Sequence, residues 1–164
     1  METDKIQWIE DYLTYTMEVV ALEGHERALK LLDKILYEEP GYSRLHHILG
    51  VIYFKHADDL KKAEQHFRWA IRFNPNFAEP YTYLTEVLKQ DERHDETIAM
   101  CKRGLQSEKA NKTFLFESLG NAWELKHNYR KAIKAYRKAL SHSAEVWNCK
   151  VLEMSIERCK RKQK

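Results

Sequence analysis

The feature that most constrains this chain is an internal period of 34 to 35 residues. In the segment KKAEQHFRWAIRFNP, Ala63, Phe67, Ala70 and Ile71 stand at i, i+4, i+7 and i+8, one stripe of an α-helix, and Pro75 ends it. Thirty-five residues earlier come Ala28, Leu32, Ile35, Leu36 and Pro40. Thirty-four residues later stand Thr97, Cys101, Gly104 and Leu105, and thirty-five beyond those Ala132, Tyr136, Ala139 and Leu140. A second series runs just upstream of each stripe. Leu49, Gly50 and Tyr53 match Leu84, Thr85 and Leu88, then Leu119, Gly120 and Trp123, and more loosely Tyr15, Thr16 and Val19. Short polar turns separate the two series, such as HADDL at 56–60 and KHN at 126–128. Each unit is therefore a helical hairpin of about 34 residues, which cannot bury its apolar face alone and must stack on neighbours.

The expected helices lie near 4–21, 25–38, 43–56, 60–73, 77–90, 94–107, 112–126, 129–142 and 145–160. A glycine in the first helix of a hairpin and an alanine early in the second let two backbones approach closely. Phe67 and Tyr136 are then expected to fill the groove between one hairpin and the next. With five glycines and three prolines in 164 residues, and helix formers dominating, composition agrees with an all-α chain. In the last helix Val151, Leu152, Ser155, Ile156 and Cys159 share one side, the pattern of a cap that closes the stack.

The pattern LGVIY followed by KKA, Phe67, Ala70 and Pro75 resembles the tetratricopeptide repeat (TPR), and LGNAW followed by NYRKA, Tyr136 and Ala139 resembles it again. The resemblance covers roughly residues 9–146. It implies an all-α, right-handed superhelical solenoid of antiparallel hairpins with about nine helices. Repeats fall near 9–42, 43–77, 78–112 and 113–146, with a capping helix near 145–160, as a single domain over 1–164. The first repeat departs with Tyr15 and Thr16 in place of leucine and glycine. In the third, Thr97, Cys101 and Gly104 replace alanine, aromatic and alanine, and Lys109 stands at the proline position.

The resemblance also implies a function: a scaffold or adaptor that receives a peptide segment of a partner in a concave groove lined by the first helices. Projected away from the packing stripe, the first of these helices offers Glu10, Leu13, Met17 and Val20. The second offers Arg44, His47, Val51, Phe54 and Lys55, the third Glu79, Thr82, Glu86 and Lys89, and the fourth Phe114, Glu117, Asn121 and Glu124. This lining is apolar at one end and acidic at the other, so the expected ligand has an apolar anchor and a basic segment. One TPR subclass grips a partner's C-terminal carboxylate with lysines, arginines and asparagines. Here only Asn121 fits such a role, and Leu13, Met17, His47 and Glu79 do not, so that ligand class is excluded.

Other function classes find little support. The sequence holds no GxSxG, no phosphate-cradling glycine loop and no HExxH, so an enzyme, a metal site and a cofactor are not expected. His46 takes a slot usually held by an apolar inter-helix residue and reads as a core histidine, whereas His47 would face the groove and confer pH sensitivity. Cys101, Cys149 and Cys159 form no CxxC pair, and no stretch approaches a membrane span, which points to a reducing, cytoplasmic setting. The net charge is +3, but five cations sit in residues 158–164, and without them the balance is −2. That basic tail carries the alternative of a nucleic-acid-associated protein, though nucleic acid is not the expected partner. Trp8, Ile9 and Tyr12 near one end, with Trp147 and Met154 near the other, leave room for a homodimer.

Overall fold

A computed structural model describes residues 2–163, with side chains from Asp4 onward. Among the described residues nine α-helices make up an all-α helical repeat: α1 (Glu2–Glu23), α2 (His25–Glu38), α3 (Ser43–Lys55), α4 (Leu60–Phe73), α5 (Glu79–Gln90), α6 (His94–Gly104), α7 (Lys112–Leu125), α8 (Tyr129–His142) and α9 (Val146–Lys162). None of them is long and apolar enough to cross a membrane. The chain divides into two compact units, Met1–Pro80 and Tyr81–Lys164.

In the first unit α1 packs on α2 and α3, and α3 packs on α4. Its core gathers Ile9, Leu13, Val19, Val20, Ala28, Leu32, Ile35, Leu45, Leu49 and Ile52. Gly50 of α3 is needed there because a Cβ would stand 2.5 Å from Cε1 and 2.6 Å from Cδ1 of Phe67. The Phe67 ring thus lies over the glycine of its own hairpin, rather than only in the groove towards the next one, as expected from sequence.

In the second unit α7 packs on α6 and α8, and α8 on α9. Gly120 and Tyr136 repeat the arrangement, with a Cβ at Gly120 placed 2.6 Å from Cδ1 of the ring. The α9 residues Leu152, Ile156 and Cys159 cover Ala132, Ile133, Tyr136 and Ala139 of α8, as a capping helix should. Val151, expected beside them, is more than a third exposed.

Turn chemistry explains the sharp hairpins. Glu92 and His127 adopt left-handed φ values of 55° and 57°. Around them Arg93 N–H donates to Leu88 O, and Glu92 N–H to Lys89 O. Asn128 N–H donates to Trp123 O, and His127 N–H to Glu124 O, in the same way. These are two Schellman closures, each satisfying the last carbonyls of its helix. Asp58 (φ 52°) occupies the corresponding place in the second hairpin, while in the first Gly24 (φ 91°) stands one position later, as the N-cap of α2. The next helices then start on side-chain caps: Asp59 accepts from Lys62 N–H, and Asn128 from Lys131 N–H. The third hairpin deviates most, since α6 ends at Gly104 and the chain turns through Leu105, rather than continuing to 107.

Candidate functional site

The positions expected to face a ligand divide between the two units and separate into core and surface. Leu13 is wholly buried, and Val20 and Val51 are 6% and 7% exposed. All three are therefore structural. Their side chains serve the packing of α1 and α3, so a folded chain offers them to no ligand. Ile9, assigned to an apolar end surface, is likewise core at 2% exposure. Met17 and Phe54 are half-buried, while Lys55 and Glu79 are exposed.

A hollow of about 260 Å³ opens in the first unit between Glu10, Tyr42, Ser43, Arg44, Asn74 and Phe77. Its charges are already paired. The Glu10 carboxylate accepts from the Tyr42 hydroxyl and forms an ion pair with Arg44. Burial, helped by that carboxylate, pushes the Tyr42 hydroxyl up to about 12. His47 sits edge-on to Phe77 with ring centroids 5.1 Å apart, and burial, with Arg44 nearby, lowers its pKa to about 4. It is neutral at physiological pH, so the pH sensitivity expected of it moves to acid conditions.

His46 is a core histidine, 2% exposed. Its Nε2–H donates to the Pro40 carbonyl at 2.8 Å, and its Nδ1 lies 3.0 Å from Nδ1 of His66. A carbonyl can only accept, so neutral His46 carries its proton on Nε2 and accepts from His66 Nδ1–H. Burial lowers both imidazoles, His66 to about 4.

The second unit holds another cleft. About 330 Å³ is enclosed by Asn111, Thr113, Phe114 and Glu117 on the α7 side and by Ser143, Ala144, Glu145 and Asn148 at the α8–α9 joint. Asn111 caps α7 by accepting from Phe114 N–H, and Phe114 lines the cleft. On that ring's other flank the Lys89 ammonium lies 5.3 Å from the centroid. Asn148 donates to Glu145 at 3.0 Å. The Ser143 hydroxyl oxygen is buried and makes no hydrogen bond to any described residue. Two carboxylates and an aromatic side chain along one cleft suit a peptide: a cation for Glu117 and Glu145, an apolar side chain for Phe114.

Glu124, one of the acids expected on the ligand-facing side, is instead committed to the chain's own helix α9. It accepts from Arg158 at 2.7 and 2.8 Å, from Lys162 at 3.3 Å and from the Tyr136 hydroxyl at 3.1 Å. The Arg158 bond, offset by burial and aided by Cys159 and Tyr136, holds its carboxyl down near 2. Two cations of the basic tail are thus occupied, Lys160 is paired with Glu157, and Lys164 lies outside the described residues.

No family model matches this sequence, and no curated protein matches it. Solved structures do. MamA superposes with a TM-score of 0.71 at 23% identity over 82% of this chain and 72% of that one. PilF of Pseudomonas aeruginosa gives 0.75 at 18% identity over 94% and 68%. The TPR2B domain of yeast Sti1, solved as a complex with pHsp70, gives 0.64 at 19% identity over 74% and 98%. This chain has the TPR fold. Within it, Phe114 and Glu117 are the TPR first-helix positions that meet in an open cleft, with Thr82, Glu86, Lys89 and Asn121 half-buried elsewhere in the same unit. Ser143, Glu145 and Asn148 escaped the sequence reading, because the joint between a last repeat and its cap has no counterpart in the repeating pattern.

Proposed function

We propose that this chain is a non-enzymatic protein-interaction module whose cleft between α7 and the α8–α9 joint receives a short segment of a partner protein. The carrying observation is the cleft itself, whose lining brings the Phe114 ring together with the carboxylates of Glu117 and Glu145. An apolar partner side chain against Phe114 supplies most of the affinity. A lysine or arginine at the carboxylates supplies register and association rate. The Sti1 domain bound to pHsp70 supports the general role, because the same hairpin architecture there carries a protein ligand. Met17, Phe54, Thr82, Glu86, Lys89 and Asn121 form the secondary set of first-helix contacts in this reading. It treats the four repeats as one module over 1–164, and three free thiols suit a reducing cytoplasmic setting. Against the nucleic-acid alternative, the described tail cations Arg158, Lys160 and Lys162 each pair with a carboxylate of this chain.

The test is a peptide array read by fluorescence polarisation with wild type, Phe114→Ala and Glu117→Lys. Wild type should select segments pairing a basic with an apolar residue. Phe114→Ala should weaken all of them, and Glu117→Lys should shift selection to acidic segments. Unchanged selection in both variants would remove the cleft from the account.

A further inference from the structure

Helix α9 buries one face on α8 and leaves the opposite face open. Trp147 is 72% exposed, Met154 68% and Val151 36%, spaced i, i+7 and i+4 along a single stripe. Isolated exposed apolar residues need no explanation, but a helical stripe of a tryptophan, a valine and a methionine does. Lys150, Glu157 and Arg161 flank it, and a hollow of about 780 Å³ lies along Met154, Arg158 and Arg161.

We propose that this face is a homodimer interface in which α9 packs antiparallel on α9 of a second copy, about a twofold axis at Met154. The stripe is complementary to itself in that register and in no parallel one. Counting outward from Met154, seven residues towards the N-terminus is Trp147 and seven towards the C-terminus is Arg161. Reversal therefore brings each Trp147 over the Arg161 guanidinium of the other copy, a cation–π pairing, beside the hollow at Met154. Lys150 meets Glu157 of the other copy, and Val151 and Met154 form the apolar centre. A parallel pairing would set Lys150 against Lys150 and Arg161 against Arg161. Arg158 does not oppose the approaching Lys150, because its guanidinium is drawn to Glu124 at 2.7 and 2.8 Å.

A second copy fits this face better than the open face of α1 does, where Trp8, Tyr15 and Leu22 alternate with Asp11 and Glu18. That pairing would be heterologous and open-ended, whereas a twofold contact closes on itself. A 17-residue helix pairing along about 26 Å buries roughly 1,000 Å² in total, the lower end for specific association. The dimer is accordingly a weak one.

Sedimentation equilibrium of the full chain from about 5 to 500 µM tests this, with circular dichroism confirming that each variant keeps its helix content. Wild type should pass from monomer to dimer and no further. Trp147→Glu, being exposed, should fold and raise the dissociation constant at least about 30-fold. Lys150→Glu and Glu157→Lys should each weaken the dimer through like charges across the axis. The two together should return it to within about threefold of wild type. A wild type monomeric at 500 µM, a double variant no better than the singles, or species larger than dimers would each overturn the proposal. None of these outcomes touches the α7 cleft, so the peptide-binding reading stands or falls separately.

Discussion

Replacing Gly50 with alanine puts the close approach of α3 and α4 to a direct test. A Cβ at this position would lie 2.5, 2.6 and 3.0 Å from three ring carbons of Phe67, where carbon atoms settle at about 3.5–4.0 Å. The ring must retreat by about 1 Å, and it has nowhere to go because Phe67 is wholly buried. Overpacking of this kind costs about 1–3 kcal/mol, and a rigid buried ring puts the cost in the upper half. Alanine recovers about 1 kcal/mol of helix propensity. The net expectation is a loss of about 1–2 kcal/mol, read from urea unfolding followed by far-UV circular dichroism with the slope unchanged. Phe67→Leu in the same chain should relieve the clash, so the double-mutant cycle should show a favourable coupling of about 1 kcal/mol or more. Gly120→Ala should behave alike or worse, since its ring, Tyr136, is also pinned at Glu124 by a 3.1 Å hydrogen bond. A Gly50→Ala protein as stable as wild type, or showing no coupling with Phe67→Leu, would refute the reasoning.

Glu92→Gly should stabilise the third hairpin by about 0.5–1 kcal/mol in the same assay, because a left-handed φ of 55° strains any residue with a Cβ. His47 and His66 have folded-state values depressed to about 4, so their neutral forms stabilise the chain above the unfolded value near 6.5. That stability should drain away as pH falls from 6.5 through 4, and His66→Phe should remove roughly half of the loss in a pH series of thermal melts. Glu124→Gln should cost about 1–3 kcal/mol at pH 7 by releasing Arg158 and Lys162. With the carboxyl held near 2, the difference from wild type should persist above 4.5 and fade between 4.5 and 2.

The fold was readable because its period is carried by small and large residues at fixed offsets. Helices α2, α4 and α8 begin and end where the stripes of Ala28, Ala63 and Ala132 place them. Helix α6 stops early for a physical reason: Gly104 stands where α4 and α8 carry Ala70 and Ala139, and glycine disfavours another helical turn. The ligand-facing side was less legible. A projection from packing stripes cannot tell a helix face turned to solvent from one covered by a neighbouring helix, so Leu13, Val20 and Val51 were placed outside when they are core. Nor could it see that Arg158, read as part of a basic tail, reaches 34 residues back to Glu124. The left-handed turn residues were missed because Asp58, Glu92 and His127 share a positive φ and no side-chain chemistry.

Hydrogen–deuterium exchange on the complex with the best basic–apolar segment from the array bears most directly on the binding account. Protection should concentrate at residues 111–121 and 143–149, and the Phe114→Ala protein should lose affinity while keeping its helix content. Protection confined to other helices, with residues 111–121 and 143–149 exchanging as in the free chain, would contradict it.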